Sequence, residues 1–134
     1  MKTHLSDIQI RFGDTDLLGH VNNAFYLSYF ELARIQFFSE AFNDSIDWQD
    51  EGILLANVNI NYLKPILLSD KIKIKTWISK IGSKSFTFKH EIFSEKDGTI
   101  FSNAELTVVC VSYKRNVTIN IPDNWKTVLE EYYP

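Results

Sequence analysis

"NAFYLSYFELARIQFFSEAF", residues 23–42, runs for twenty residues without a glycine or proline. Such a run reads as one long helix. Its apolar positions (Ala24, Phe25, Tyr26, Leu27, Tyr29, Phe30, Leu32, Ala33, Ile35, Phe37, Phe38, Ala41 and Phe42) cover most of the helix circumference instead of forming one stripe. A helix with that pattern must be largely enclosed by the rest of the chain. Glu31 and Arg34, three apart within it, have the spacing of an intrahelical ion pair.

The enclosing material is strand-like. "HLSDIQIRF" (4–12) alternates in its second half and reads as a strand ending at Gly13. Four further runs follow the helix: "ILLANVNINYLKP" (53–65), "KIKIKTWISK" (71–80), "SKSFTFKHEIFSE" (83–95) and "TIFSNAELTVVCVSYK" (99–114). "ILLSD", "IGS" and Asp97-Gly98 separate them, and connections that short favour antiparallel neighbours. Five strands curving around one buried helix make an α+β domain. "PDNWKTVLEEYY" (122–133) reads as a short terminal helix with Pro122 near its start.

At 134 residues, 45% hydrophobic and 23% charged, the chain has the size and composition of one ordinary globular domain, residues 1–134. The start "MKTHLSDIQI" holds no apolar stretch suited to a signal peptide or membrane span, and the lone Cys110 forms no internal disulfide, so the expected location is cytoplasmic. The net charge of −3 is unevenly spread: residues 1–51 carry three Lys/Arg against nine Asp/Glu, and residues 64–89 carry seven lysines against Asp70 alone. In "KIKIK" the lysines alternate outward with inward isoleucines. Lys80 and Lys84 instead flank the "IGS" turn, where flexible cations can reach the phosphates of a ligand. The acidic balance, with no helix bearing a basic stripe, excludes duplex nucleic acid as a partner.

The polar chemistry concentrates just ahead of the helix, in "RFGDTDLLGHVNNAFY" (11–26). Asp14, Asp16 and Gly19 match the first, third and sixth positions of a calcium-binding EF-hand loop. Leu18 and Phe25 fall where that loop needs a ligand and its closing glutamate, so no metal site is expected. No "GxSxG" elbow, phosphate loop or dinucleotide fingerprint occurs, and Cys110 lies in an alternating strand where burial explains it. What remains is a loop feeding a helix N-terminus, where backbone N–H groups lack partners and the helix dipole is positive. Asn22 or Asn23 can cap that helix, and Asp14 and Asp16 can be turn residues. A carboxylate beside free N–H donors is equally the minimum equipment for hydrolysing an activated acyl group.

"FGDTDLLGHVNNAFYLSYFELAR" (12–34) closely resembles the signature of the hot-dog-fold acyl-CoA thioesterases of the 4-hydroxybenzoyl-CoA thioesterase type. "VNINYLKPILLSDKIKIKT" (58–76) and "KIGSKSFTFKHEIFSEKDGTIFSNAELTVVCV" (80–111) resemble the family's later strands. The resemblance implies a five-stranded antiparallel sheet wrapped around a central helix, pairing into homodimers or homotetramers, with the acyl-CoA site between subunits. It implies hydrolysis of acyl-CoA to a free acid and coenzyme A without metal or cofactor. Asp16 matches the family's catalytic carboxylate, and N–H donors around Asn22 and Asn23 match its oxyanion site. "HVNN" replaces the apolar residues of the aromatic-acyl branch and looks more like the branch acting on fatty acyl thioesters. In that setting His20 and Asn22 add donors or orient Asp16, and Tyr26 and Tyr29 either line the acyl pocket or pack the core. Lys80, Ser83 and Lys84 match the region near the coenzyme A phosphates. Two other readings stay open: a non-catalytic acyl-CoA binding module, and a hydratase or dehydratase of acyl thioesters.

Overall fold

The computed structural model describes all 134 residues. The long helix, α1, spans Asn23–Ala41, one residue short of the expected end. Asn22 caps it, its side chain accepting from the Ala24 N–H at 3.0 Å. Beyond Phe42 the chain turns through Asn43 and Asp44 at φ of 50° and 55°, a left-handed conformation that these two residue types tolerate. Around α1 lie β1 (His4–Ile8), β2 (Glu51–Tyr62), β3 (Ile72–Ile81), β4 (Ser85–Ser94) and β5 (Ile100–Ser112). They form an antiparallel sheet in the order β1-β3-β4-β5-β2, and a two-residue β6 (Val117–Thr118) adds to β5. The sheet is therefore six-stranded with five long strands. A second helix, α2 (Asp123–Glu131), follows Pro122 and buries Trp125 and Leu129.

Alternation decides which faces meet. In β3, Ile72, Ile74, Thr76 and Ile78 point inward, and the intervening Lys73, Lys75 and Trp77 are part-exposed. Lys73 reaches Asp7 at 3.2 Å, and the Lys75 ammonium lies 5.5 Å from the Trp77 ring centroid. Register shifts at Leu55/Asn57, Ile78/Lys80 and Ile92/Phe93 mark bulges that bend the sheet around α1. The inner face packs on Tyr26, Tyr29, Phe30, Ala33, Phe37 and Phe38, spaced three or four apart on α1. Cys110 is fully buried in β5, as its alternating run suggests.

Two expectations are corrected. The first strand ends at Ile8, not Gly13, because Phe12–Asp14 turns tightly to bury the Asp14 side chain. The enclosure of α1 is also incomplete: Leu27, Leu32 and Ile35 are exposed, Ile35 by 56%. Part of that bare side faces β2, an edge strand whose Leu54, Leu55 and Val58 are exposed too.

One buried polar residue stands inside the aromatic core. His90 on β4 stacks between Phe30 and Phe88, with centroid distances of 5.2 and 5.6 Å. Its Nδ1 lies 2.9 Å from the Thr76 hydroxyl. Burial, assisted by the nearby positive charge of Arg34, pulls its pKa from the ordinary 6.5 down to about 3. Between those values the unfolded chain takes a proton that the folded chain refuses. The stability that neutral His90 supplies is complete above pH 6.5 and falls by about 1.4 kcal/mol per unit as pH drops toward 3. Urea midpoints of wild type and His90→Gln, measured from pH 7 to 4, are expected to diverge through this window, with wild type losing more. Parallel curves would contradict the assignment of a neutral buried His90.

Candidate active site

The loop ahead of α1 is held from below by Asp14. Its carboxylate is only 2% exposed. Oδ2 accepts from the Tyr29 hydroxyl at 2.7 Å and from the Arg11 N–H at 3.1 Å, and Oδ1 lies 3.6 Å from the Arg11 guanidinium. The Asp14 carbonyl accepts from the Asn22 N–H at 2.8 Å. Burial, then the Asp14 hydrogen bond and charge, push the Tyr29 phenol upward, so it stays a proton donor. Asp14 thus ties both ends of the loop to the second turn of α1, which is more than the turn role expected of it.

Above this anchor the chain makes a tight excursion. The Asp16 N–H donates to the His20 carbonyl at 2.8 Å, and the Gly19 N–H donates to the Asp16 carbonyl at 3.0 Å. Gly19 has φ +78°, which a side chain would strain. Oδ1 of the exposed Asp16 accepts from the Leu18 and His20 N–H groups at 2.9 and 3.2 Å. Two backbone donors therefore orient the carboxylate, and its Oδ2 has no partner in the chain. A bridge from His20 to Leu67, and the Val21 N–H bonded to the Ile66 carbonyl at 2.8 Å, fasten the loop to the segment after β2.

The helix start divides its donors unequally. The Asn22 N–H is spent on Asp14, the Ala24 N–H on the Asn22 side chain, and the Phe25 N–H on the Asn22 carbonyl. The Asn23 N–H has no acceptor in the chain. Asn23 also lines a 200 Å³ cavity together with Asp16, His20, Tyr26, Tyr62 and Lys64. Asn23, whose N–H is free at the positive end of a helix, and Asp16, whose carboxylate is oriented, thus line one cavity. Tyr26 is buried with its ring edge-on to Tyr62 at 4.8 Å, and burial raises its phenol pKa.

The other candidate residues lie elsewhere. Asn22 is the cap and does not line the cavity. Lys80, Ser83 and Lys84 lie at the β3–β4 turn, where the Ser83 carbonyl accepts from Ile121 N–H and the Lys84 carbonyl from Cys110 N–H. That turn is nine residues, roughly 30 Å, along β3 from Ile72. Ile72 pairs with Ile8 at the loop's end of the sheet. Within one chain these three residues are remote from Asp16.

A model of the thioesterase-like superfamily matches residues 10–129. The chain belongs to the thioesterase-like superfamily. Among its relatives in this superfamily is the long-chain acyl-CoA thioesterase FadM of Escherichia coli, 30% identical over 129 residues, which are 94% of this chain and 96% of that one. The acyl-CoA thioester hydrolase YbgC of E. coli is 27% identical over 78% of each chain. The crystal structure of YbaW, a probable thioesterase from E. coli, superposes with a TM-score of 0.82 at 29% identity, covering 96% of this chain and 97% of that one. The sheet-wrapped helix is the hot-dog architecture.

In this superfamily member Tyr62 and Lys64 are wall residues that no sequence motif marks. Both leave the end of β2 in "NYLKP", and only the return of that segment beside α1 brings them to Asp16. The importance of the Asp14 anchor is open to measurement. Tyr29→Phe removes a charge-assisted hydrogen bond from a buried carboxylate and is expected to cost about 1.5–3 kcal/mol by urea denaturation. An unchanged midpoint would mean that Asp14 does not hold the loop.

Proposed function

We infer that the protein hydrolyses acyl-CoA thioesters to a free acid and coenzyme A. The observation that carries this reading is that Asp16, with an oriented carboxylate, and Asn23, with a free N–H, line one cavity. The thioester carbonyl oxygen points at the Asn23 N–H, which gains strength as negative charge develops there. Oδ2 of Asp16, free of other hydrogen bonds, draws a proton from a water that attacks the carbonyl carbon, or attacks that carbon itself to form an acyl-Asp16 anhydride that water then hydrolyses. The coenzyme A thiolate departs and takes up a proton, and the acid remains. His20 and Tyr26 line the path of the substrate. Lys64, the one lysine lining the cavity, adds positive charge on the side where negative charge develops.

The acyl group is read as a fatty acyl chain. Support comes from "HVNN" and from the long-chain acyl-CoA thioesterase relative that spans nearly the whole chain. The working form is a homodimer of single-domain chains acting in the cytoplasm. β2 supports the dimer: its outer edge has unpaired backbone groups over twelve residues and three exposed apolar side chains. Pairing two β2 edges around a two-fold axis extends the sheet and covers them. Lys80, Ser83 and Lys84 then serve coenzyme A phosphates only from the partner subunit. A hydratase mechanism is less well supported, because His4 and His90 are buried away from the cavity and leave His20 alone beside Asp16.

Purified protein offered short-chain, long-chain and aromatic acyl-CoAs is expected to release thiol fastest from a fatty acyl substrate. Asp16→Asn should lower kcat about 10²- to 10⁴-fold with an unchanged urea midpoint. Absence of cleavage across the panel, or full activity in Asp16→Asn, overturns the mechanism.

A further inference from the structure

Arg34 is the one cation inside the apolar sheath of α1, with 8% of its surface exposed. Its Nη1 is buried without a hydrogen-bond partner. The expected partner on the same helix, Glu31, forms no ion pair with it: none of the five ion pairs involves either residue. Glu31 remains exposed. A guanidinium keeps its charge under all ordinary conditions, and the cost of burying it is offset only in part by the charge of Glu31, which acts on it without direct contact. The neighbouring His90 is no counter-charge, since it is neutral and its own Nε2 is unpartnered.

The location of Arg34 indicates where a counter-charge can come from. With Glu31, Ile35 and Phe38 it lines a 690 Å³ cavity whose other wall includes Ile53 and Leu55 of β2. At the far end of α1, Tyr26 meets Tyr62 of β2. The two elements therefore run alongside one another in opposite directions, with Tyr26 beside Tyr62 and Arg34 beside Ile53 and Leu55. The midpoint of β2, between Ala56 and Asn57, then falls next to the middle of α1, between about Glu31 and Arg34. A two-fold axis through the middle of an edge-paired β2 sets the two copies of α1 antiparallel across that point, bringing unlike charges opposite each other. Leu27, Glu31, Arg34, Ile35 and Phe38 share the α1 stripe facing the axis.

Resting on the homodimer inferred above, we propose that Glu31 of each subunit pairs with the partner's Arg34, two reciprocal ion pairs that close the cavity between α1 and β2. A second copy fits better than a free anionic ligand, because Glu31 and Asp44 at the cavity wall repel a small anion but complement a surface carrying its own cation.

The test exploits reciprocity. In a Glu31→Arg homodimer both facings are Arg–Arg, and in an Arg34→Glu homodimer both are Glu–Glu. In the mixed dimer both facings are attractive. Sedimentation velocity is expected to show each variant alone dissociating at least ~100-fold more readily than wild type, tenfold for each lost pair at 1.4 kcal/mol. A 1:1 mixture should recover to within ~10-fold, and native mass spectrometry should find the heterodimer dominant. A pair within one chain gains nothing from mixing. If Arg34→Glu fails to fold by circular dichroism, Glu31→Gln, altered only at an exposed position, carries the test and should weaken the dimer at least ~10-fold. Mixed variants that stay monomeric, or a Glu31→Gln dimer as tight as wild type, overturn the proposal and leave the dimer itself standing. A monomeric wild type overturns the dimer. Stabilisation of wild type, but not Arg34→Met, by millimolar decanoate with no effect of Glu31→Gln would assign Arg34 to a small carboxylate instead, and also overturns the proposal.

Discussion

The Asp14 carboxylate lies under the start of α1, accepting from Tyr29 one and a half turns into the helix and from Arg11 at the opposite end of the loop. Because its own carbonyl takes the Asn22 N–H, the helix cap is fixed relative to that same residue. A buried carboxylate tolerates few positions, since it must keep its donors or bear the full cost of desolvation. Its neighbour two residues on inherits that rigidity without sharing the burial. Asp16 is thus exposed, oriented by two backbone N–H groups and held beside a helix terminus. One aspartate is buried and fixes position, the other is exposed with one oxygen free for the chemistry proposed above, and their environments separate them.

The same division between buried support and open function recurs along α1. Toward β1, β3 and β4 the helix is sealed by isoleucines and phenylalanines that alternate inward from the strands. Toward β2 the seal fails, and there Arg34 and a large cavity appear beside exposed leucines. An apolar helix face left open on the edge-strand side is a surface that gains free energy by being covered. The cavity that Asp16 and Asn23 line, at the other end of β2, lies along this same seam, so the proposed pairing surface and the proposed substrate site are adjacent.

Much of this was legible in the sequence. The long helix follows from twenty residues without a breaker, the strands from alternation, and the loop from its cluster of Asp, His and Asn ahead of an apolar run. The assignment of Asp16 came from family resemblance, because the residues alone do not distinguish it from Asp14. What stayed hidden depends on contacts distant in sequence. Asn22 and Asn23 look equivalent until hydrogen bonds are assigned, after which one is the cap and the other holds the free N–H. Tyr62 and Lys64 join the site only because β2 returns beside the helix N-terminus. The spacing of Glu31 and Arg34 suggests a pair within the helix. The guanidinium is buried and makes no direct ion pair with Glu31, whose charge acts on it only through space, and no local rule anticipates that.

In the proposed mechanism the Asn23 N–H receives the thioester oxygen beside Asp16. Amide spectra of ¹⁵N-labelled protein titrated with a ketone analogue of decanoyl-CoA, its sulfur replaced by methylene, report on that contact residue by residue. The Asn23 amide is expected to move furthest among residues 22–25, since its three neighbours already donate within the chain. An unmoved Asn23, with the largest shifts gathered at a surface remote from Asp16, would contradict it.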